Sequence, residues 1–194
     1  MAVTYSATTV SAPAGVQGSY PLTLTKGHEG LIADAQAYVA RSYSNETSAV
    51  VPFGHLVIRD SAATDDGVKL PAGAAATDIL GIATSTVAYE KGTDTVTAYG
   101  AEGYPDDARV NVLSKGVIYV FSAHAIALGD AVRVFHTDSA NAATNKGYKG
   151  RFGKTAEAGK TFALTGARWL STCAAGGIAL LEIDIPGVTA TADT

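Results

Sequence analysis

The feature that most constrains the fold is a series of short β-type segments, separated by turn signals, that begins at residue 50. Apolar and polar residues alternate in "FGHLVIRD" (53–60), whose LVI centre indicates burial on both faces. Further β-type runs follow in "DILGIATSTVAYE" (78–90), "KGTDTVTAYG" (91–100) and "RVNVLSKGVIYVFS" (109–122). No run after residue 50 has the apolar spacing of an amphipathic helix of three turns. The pattern therefore predicts an all-β body, either a β-barrel or a β-sandwich, and argues against βαβ units.

The stretch "GARWLSTCAAGGIALLEIDIPG" (166–187) predicts a pair of strands joined at two adjacent glycines. Because side chains alternate along a strand, the last strand has two distinct faces. The core face carries Leu181, Ile183 and Ile185, and the opposite, wetter face carries Glu182 and Asp184. The two acids are thus predicted to be surface residues and not part of an active site.

The first 50 residues differ from the rest of the chain. Up to Gly30 they are small and polar with isolated apolar residues, which predicts an extended arm that becomes ordered on another surface. The alternative is a flexible, disordered N-terminus. "LIADAQAYVARSY" (31–43) fits either a short helix or an irregular strand. We therefore divide the chain into an arm at 1–50, a β-rich body at 51–188 and a flexible C-terminal tail at 189–194.

The low charge of the chain suits a protein that packs against neighbours. Charged residues make up 16% of it, against about 25% in an average domain. A weakly charged, Thr- and Gly-rich surface is poorly protected against self-association. The formal net charge of −4 gives nucleic acid no electrostatic reason to bind.

Stability and location follow from a few further features. Cys173 is the single cysteine, so no intramolecular disulfide can form. The N-terminal sequence lacks the basic and continuous apolar regions of a secretory signal, and no apolar run is long enough for a membrane helix. We expect a protein made in a cytoplasm that stays soluble.

The loop "GYKGRFGKT" (147–155) is similar to a phosphate-binding loop but fails its spacing. Five residues separate Gly147 from Gly153, where that motif has four. The loop also lacks the strand before and the helix after that such a site needs. We interpret it as a glycine-rich, basic loop at an oligomer or partner contact.

No constellation of catalytic or metal-binding residues emerges from the sequence. The four histidines (His28, His55, His124 and His136) show no metal-ligand spacing, and no nucleophile elbow is present. The acidic pairs at 65–66 and 106–107 are typical of turns. We predict a protein that is not an enzyme and uses no metal or cofactor.

Four segments, taken in order, carry a family resemblance. They are "HEGLIADAQAYVARSYSNETSAVVPFGHLVIRD" (28–60), "KGVIYVFSAHAIALGDAVRVF" (115–135), "YKGRFGK" (148–154) and the closing stretch 166–187. From about Gly30 to Gly187 the chain resembles the structural cement, or head-decoration, proteins of tailed bacteriophages. The resemblance implies an all-β body with an N-terminal arm, no catalytic residues, and attachment as a small oligomer to the outer face of a capsid lattice.

The expected role is therefore to bridge neighbouring major capsid protein subunits and stabilise the head. The expected partners are the major capsid protein and the chain itself, as a homotrimer in preference to a dimer, with no nucleic acid, membrane or small-molecule substrate. The expected location is the outer capsid surface of the virion, after synthesis in the host bacterial cytoplasm. The residues expected at the capsid or oligomer interface are Val3, Tyr5, Val10, Tyr20, Leu22, Leu24, Tyr148, Arg151 and Phe152.

Two other functions stay open at this stage. A carbohydrate-binding or adhesive β-module on a phage or cell surface could use Trp169 or surface tyrosines as sugar platforms, although Trp169 is expected to be mostly buried. A β-barrel hydrolase would need an acid–base constellation that the sequence does not supply.

Overall fold

The computed structural model describes residues 27–34, 38–60, 66–73, 78–89 and 103–193. Their strands are β1 (Val39–Asn45), β2 (Val51–Pro52), β3 (Leu56–Arg59), β4 (Gly67–Lys69), β5 (Ile79–Ala83), β6 (Gly103–Tyr104), β7 (Arg109–Ser122), β8 (Arg133–Phe135), β9 (Phe152–Gly153), β10 (Thr161–Thr165), β11 (Arg168–Trp169), β12 (Gly177–Asp184) and β13 (Thr189–Ala192). The helical segments are α1 (Ala142–Asn145) and a 3-10 turn (Ile185–Gly187). Within these ranges no helix has the length and apolarity needed to cross a membrane.

Five strands close into a β-barrel, which confirms the all-β prediction and selects the barrel. They pair in the order β1–β4–β3–β5–β7, and β7 then pairs with β1 to complete the ring. The closing strand β1 lies within residues 1–50, so the expected boundary between arm and body at residue 50 is wrong. The β-rich body therefore includes residues 39–45, expected in the arm, because they form the strand that closes the barrel.

The long strand β7 connects the barrel to a second group of strands. Its first half pairs with β1 and β5, while residues 115–122 pair with β12. At Ser122 it also meets β9, from which the sheet continues through β8 and β10 to β13. No turn forms at the expected Lys115-Gly116 position, because β7 runs through it; the register against β1 shifts one residue earlier, at Ser114.

The core consists of two clusters on opposite faces of the barrel strands. The larger cluster contains Leu56, Ile58, Ile82 and Leu113, together with apolar residues of β8, β10, β11 and β12. The smaller one contains Val57, Val68, Val110 and Val112, with Val51 and Tyr104 from the β2–β6 ribbon and Phe53, which follows β2. Strand β3 is thus buried on both faces, which explains its continuous apolar centre.

The predicted alternation in the last long strand is confirmed as far as Asp184, whereas Ile185, expected on the core face, begins the 3-10 turn and is half-buried. In β12, Ala179, Leu181 and Ile183 are buried, whereas Glu182 and Asp184 lie on the other face. These acids pair with Arg168 and Lys115 respectively. They are surface ion pairs of a sheet.

The structure resolves the ambiguity at residues 31–43 in part and corrects the expected flexible tail at residues 189–194. Residues 39–43 of the ambiguous segment belong to strand β1, so the strand alternative holds there. The tail at 189–194 is not loose, because residues 189–192 form β13 against β10. The β-type run at 91–100 lies outside the described residues.

Candidate functional site

The segment that we call the arm root, residues 27–34, is bonded along the barrel's longest strand. Gly30 N–H donates to the Tyr119 carbonyl at 2.8 Å and Ala33 N–H to the Val117 carbonyl at 2.9 Å, while Tyr119 N–H donates to the Leu31 carbonyl at 2.9 Å. These contacts occupy the part of β7 between its pairings with β5 and with β9. The arm root therefore fills a gap in the sheet and joins the barrel to the second group of strands.

A buried ion pair holds the arm root from the other side. Nη2 of Arg151 donates to Oε2 of Glu29 at 3.1 Å, and the Arg151 side chain is only 1% exposed. The guanidinium carbon lies 4.2 Å from the centre of the Phe121 ring, where a cation–π contact supplements the ion pair. Since a guanidinium this deeply buried needs its counter-charge, Glu29 and Arg151 fix each other's positions.

His55 completes this cluster as a neutral side chain. Its Nδ1 lies 2.9 Å from the Phe53 carbonyl and 3.7 Å from Oε1 of Glu29. Burial, aided by the nearby positive charge of Arg151, lowers the pKa of His55 to about 3. Burial raises the pKa of Glu29, and the charge and hydrogen bond of Arg151 oppose that rise.

The cluster is incompletely hydrogen-bonded. Among the described side chains, the buried atoms without a hydrogen-bond partner include Oε1 of Glu29, Nε2 of His55 and Nε of Arg151. Buried polar atoms without partners lower stability. We interpret the cluster as one that fixes the arm root's position more than it adds stability.

The loop predicted to face a partner is packed inside the chain. Tyr148, Arg151 and Phe152 are expected at a capsid or oligomer interface, but they are 8%, 1% and 0% exposed and pack within the chain itself. Phe152 lies in β9 and meets the Trp169 ring edge-on at 6.4 Å between centroids. The loop can turn inward because Glu29, which is remote in sequence, neutralises its arginine. The six arm residues predicted for the same interface, from Val3 to Leu24, lie outside the described residues.

Comparison with known proteins decides the family. The family described as structural cement protein (E217 gp24/Pam3 gp6) matches residues 16–184. The chain belongs to this family of phage structural proteins. Its role is to stabilise the capsid, and its place is in the virion. A chain from the solved structure "The capsid of Myoviridae Phage XM1" is 19% identical with a TM-score of 0.63, over 88% of this chain and 98% of that chain, and so shares the fold. Comparison with curated proteins finds no match.

Trp169 of this cement protein cannot serve as a sugar platform in the described structure. Its side chain is 3% exposed, as expected from the sequence, and its Nε1 donates to the Ala131 carbonyl at 3.4 Å. Sugar-binding platforms need an open aromatic face. In the described residues, no group of His, Cys, Asp and Glu side chains is arranged to hold a metal ion.

The cement protein does expose apolar side chains beside the arm root, which sequence reasoning missed. Leu31, Tyr38 and Val39 are 37%, 47% and 44% exposed. Val39 lies opposite Lys115 of β7, and the backbone of Tyr38 passes close to Gly116. Further exposed apolar residues are Val50, Val87, Leu128 and Leu170. The aromatic and β-branched content of residues 38–39, outside any core pattern, is the signal that could have revealed this surface.

Gly54 is the position where a small change should displace the arm root. It has a φ of +70°, and a Cβ there would lie 2.2 Å from Cγ of Glu29. We expect Gly54→Ala to speed hydrogen exchange of the Gly30 and Ala33 amides at least about tenfold, because Glu29 must move. Gly129→Ala is the matched control, since Gly129 has a φ of +88° but nothing within 4 Å of its Cβ position. Equal exchange in both variants would contradict the contact.

Proposed function

We propose that this cement protein binds the outer surface of the phage capsid through its N-terminal arm and bridges neighbouring major capsid protein subunits. We further propose that it assembles with itself, as a trimer in preference to a dimer. It does so without an enzymatic activity, a cofactor, nucleic acid or a membrane, after synthesis in the host bacterial cytoplasm. The observation that supports this most is the double attachment of the arm root to β7 and to Arg151.

An arm can strengthen a shell only if force on it reaches the body. Backbone hydrogen bonds from Gly30 and Ala33 attach the root along β7, and the Glu29–Arg151 pair attaches it at the loop before β9. Force on residues 1–26 is therefore transmitted to both parts of the sheet. A loosely attached arm would detach from the body under load. A firmly attached arm can sustain modest contacts with the capsid, which the lattice repeats many times.

The composition of the arm suits addition to the edge of another protein's sheet. Residues 1–25 contain no Asp, Glu, Lys, Arg or His, and they are rich in Thr, Val and Tyr. An extended segment of this kind gains main-chain hydrogen bonds by strand addition. Leu31, Tyr38 and Val39 extend the contact surface onto the body.

Deleting residues 1–26 tests the proposal, because it leaves the arm root in place. We expect a folded protein that no longer binds capsids lacking cement protein, measured by co-sedimentation with the heads. A second, full-length variant keeps the length of the arm but removes its apolar side chains. It has serine at Val3, Tyr5, Val10, Tyr20, Leu22 and Leu24, and it should also lose binding if these side chains provide the contact with the capsid. Normal decoration by the truncated protein would refute the arm mechanism.

A further inference from the structure

The last strand, β13, has one unpaired side within the described part of the chain. It pairs with β10 and stands at the end of the strand order β7–β9–β8–β10–β13. No described strand pairs with its other side. Such a side presents free N–H and C=O groups to an incoming chain.

The hydrogen-bond pattern shows which groups face outward. Leu164 N–H donates to the Val132 carbonyl at 2.8 Å, so Leu164 bonds towards β8, and Asp193 N–H donates to the Thr161 carbonyl at 3.2 Å. Because bonding direction alternates along an antiparallel strand, Thr189 and Thr191 bond towards β10. The N–H and C=O groups of Ala190 and Ala192 therefore point away from the sheet.

This edge lacks the usual protection and is nevertheless firmly held. Its sequence, Thr-Ala-Thr-Ala, has no lysine or proline to discourage pairing. Asp193, which follows directly, accepts hydrogen bonds from Nε of Arg133 at 3.0 Å and from Oγ1 of Thr161 at 2.6 Å. The strand also lies beyond residue 184, where the family match ends. An ordered, uncharged open edge thus lies near the C-terminal end of the described residues.

We propose that residues 3–10 of a second copy add to β13 as a further strand. That segment, "VTYSATTV", is uncharged and almost wholly β-branched, aromatic or small, which matches the uncharged Thr/Ala edge. Thr–Thr and Thr–Val cross-strand pairs suit such an edge without burying a charge. The added strand supplies acceptors and donors to the outward groups of Ala190 and Ala192.

The direction of the arm root is compatible with this contact. The arm root runs antiparallel to β7 and leads back towards Ser122. Register partners connect Ser122 through Phe152, Val134 and Phe162 to Ala192, so the end of β13 lies on the row towards which the arm root runs. That row is about 19 Å wide at the usual strand spacing, and residues 11–26 span up to about 50 Å when extended. Residues 11–26 are therefore long enough to carry the donor segment past the edge of its own sheet.

The contact also determines the kind of assembly. The donor segment and the acceptor edge are different surfaces of one chain, so in a closed assembly every copy donates one segment and accepts another. Reciprocal exchange in a two-fold dimer and a ring of three both satisfy this condition, and the measured mass distinguishes them. This inference rests on the self-assembly part of the proposed function and deepens it, with residues 3–10 on the neighbouring copy and Tyr20, Leu22 and Leu24 left for the capsid.

Hydrogen exchange on the full-length protein, at dilute and concentrated conditions with the mass measured in each, tests the contact. We expect the amides of Ala190 and Ala192 to exchange at least about tenfold more slowly in the oligomer than in the monomer. The Thr191 amide, which bonds to β10, should not change. Protection that is independent of concentration, or a protein that is monomeric throughout, would overturn the proposal.

Two variants separate this contact from other modes of assembly. We expect Thr191→Lys to raise the dissociation constant of the oligomer at least about tenfold, about 1.4 kcal/mol, because the lysine is placed on the edge. Thr165→Lys, at an exposed position of the inner strand β10, is the matched control and should leave the constant unchanged.

Deleting residues 1–12 should abolish the protection of the Ala190 and Ala192 amides, and persistence of that protection would overturn the proposal. An unchanged dissociation constant in Thr191→Lys would contradict strand addition at β13. Head binding that survives deletion of residues 1–26 would instead contradict the proposed function.

Discussion

Replacing Arg151 with alanine is expected to lower the free energy of unfolding by about 3–5 kcal/mol. The substitution removes a side chain that is 1% exposed and leaves the partly buried carboxylate of Glu29 without its partner. It also removes the group that stacks on Phe121. The lost partner accounts for most of the effect, because a charge left unpaired in a low-dielectric site is costlier than a cavity of similar size.

Urea unfolding of three variants can separate these contributions. Arg168→Ala is the control, because Arg168 pairs with Glu182 on the exposed face of β12, where solvent screens the pair, and we expect little change. A double variant, Glu29→Gln with Arg151→Met, removes both charges and should recover part of the loss. If Arg151→Ala were no more destabilising than Arg168→Ala, the buried pair would not hold the arm root.

The regular parts of the fold could be predicted because local pattern determines them. Alternation in β12 assigned its buried and exposed faces correctly, and the apolar centre of β3 indicated burial on both sides. The expected surface position of Glu182 and Asp184 follows from the same alternation. Strand periodicity is a local property, so one sequence suffices to detect it.

The candidate site could not be predicted because its contacts join remote parts of the chain. Arg151 and Glu29 are 122 positions apart, so a polar, glycine-rich loop gave no sign that its arginine would be buried. The closure of the barrel by β1 likewise depends on pairing with β4 and β7, far along the chain.

The C-terminal strand was missed for a similar reason. "TATADT" has no apolar periodicity strong enough to distinguish a strand from a tail. Its order depends on β10 and on the pair between Asp193 and Arg133, which are 60 positions apart. A short, small-residue strand becomes visible only when the partner that orders it is known.

Acidification is expected to destabilise this cement protein through His55. The pKa of His55 is about 3 in the folded protein, against 6.5 for an ordinary histidine, so the folded state binds fewer protons between these values. The stability that His55 contributes is therefore complete above pH 6.5 and is lost as the pH falls towards 3. Each pH unit in that window costs about 1.4 kcal/mol. Glu29 acts in the opposite sense, because its raised pKa makes the folded state bind more protons above pH 4.5.

Comparison with His55→Asn isolates the histidine. The asparagine amide can replace the Nδ1–H donor to the Phe53 carbonyl, and any constant loss of stability cancels when slopes against pH are compared. Between pH 7 and pH 5 we expect the wild-type protein to lose about 2 kcal/mol more than the variant. The difference should survive about 0.5 M salt, which screens exposed pairs but not a buried imidazole beside Arg151 and Glu29. Parallel slopes would mean that His55 takes up its proton as easily in the folded chain as in the unfolded one, and the buried cluster would then not be the source of acid sensitivity.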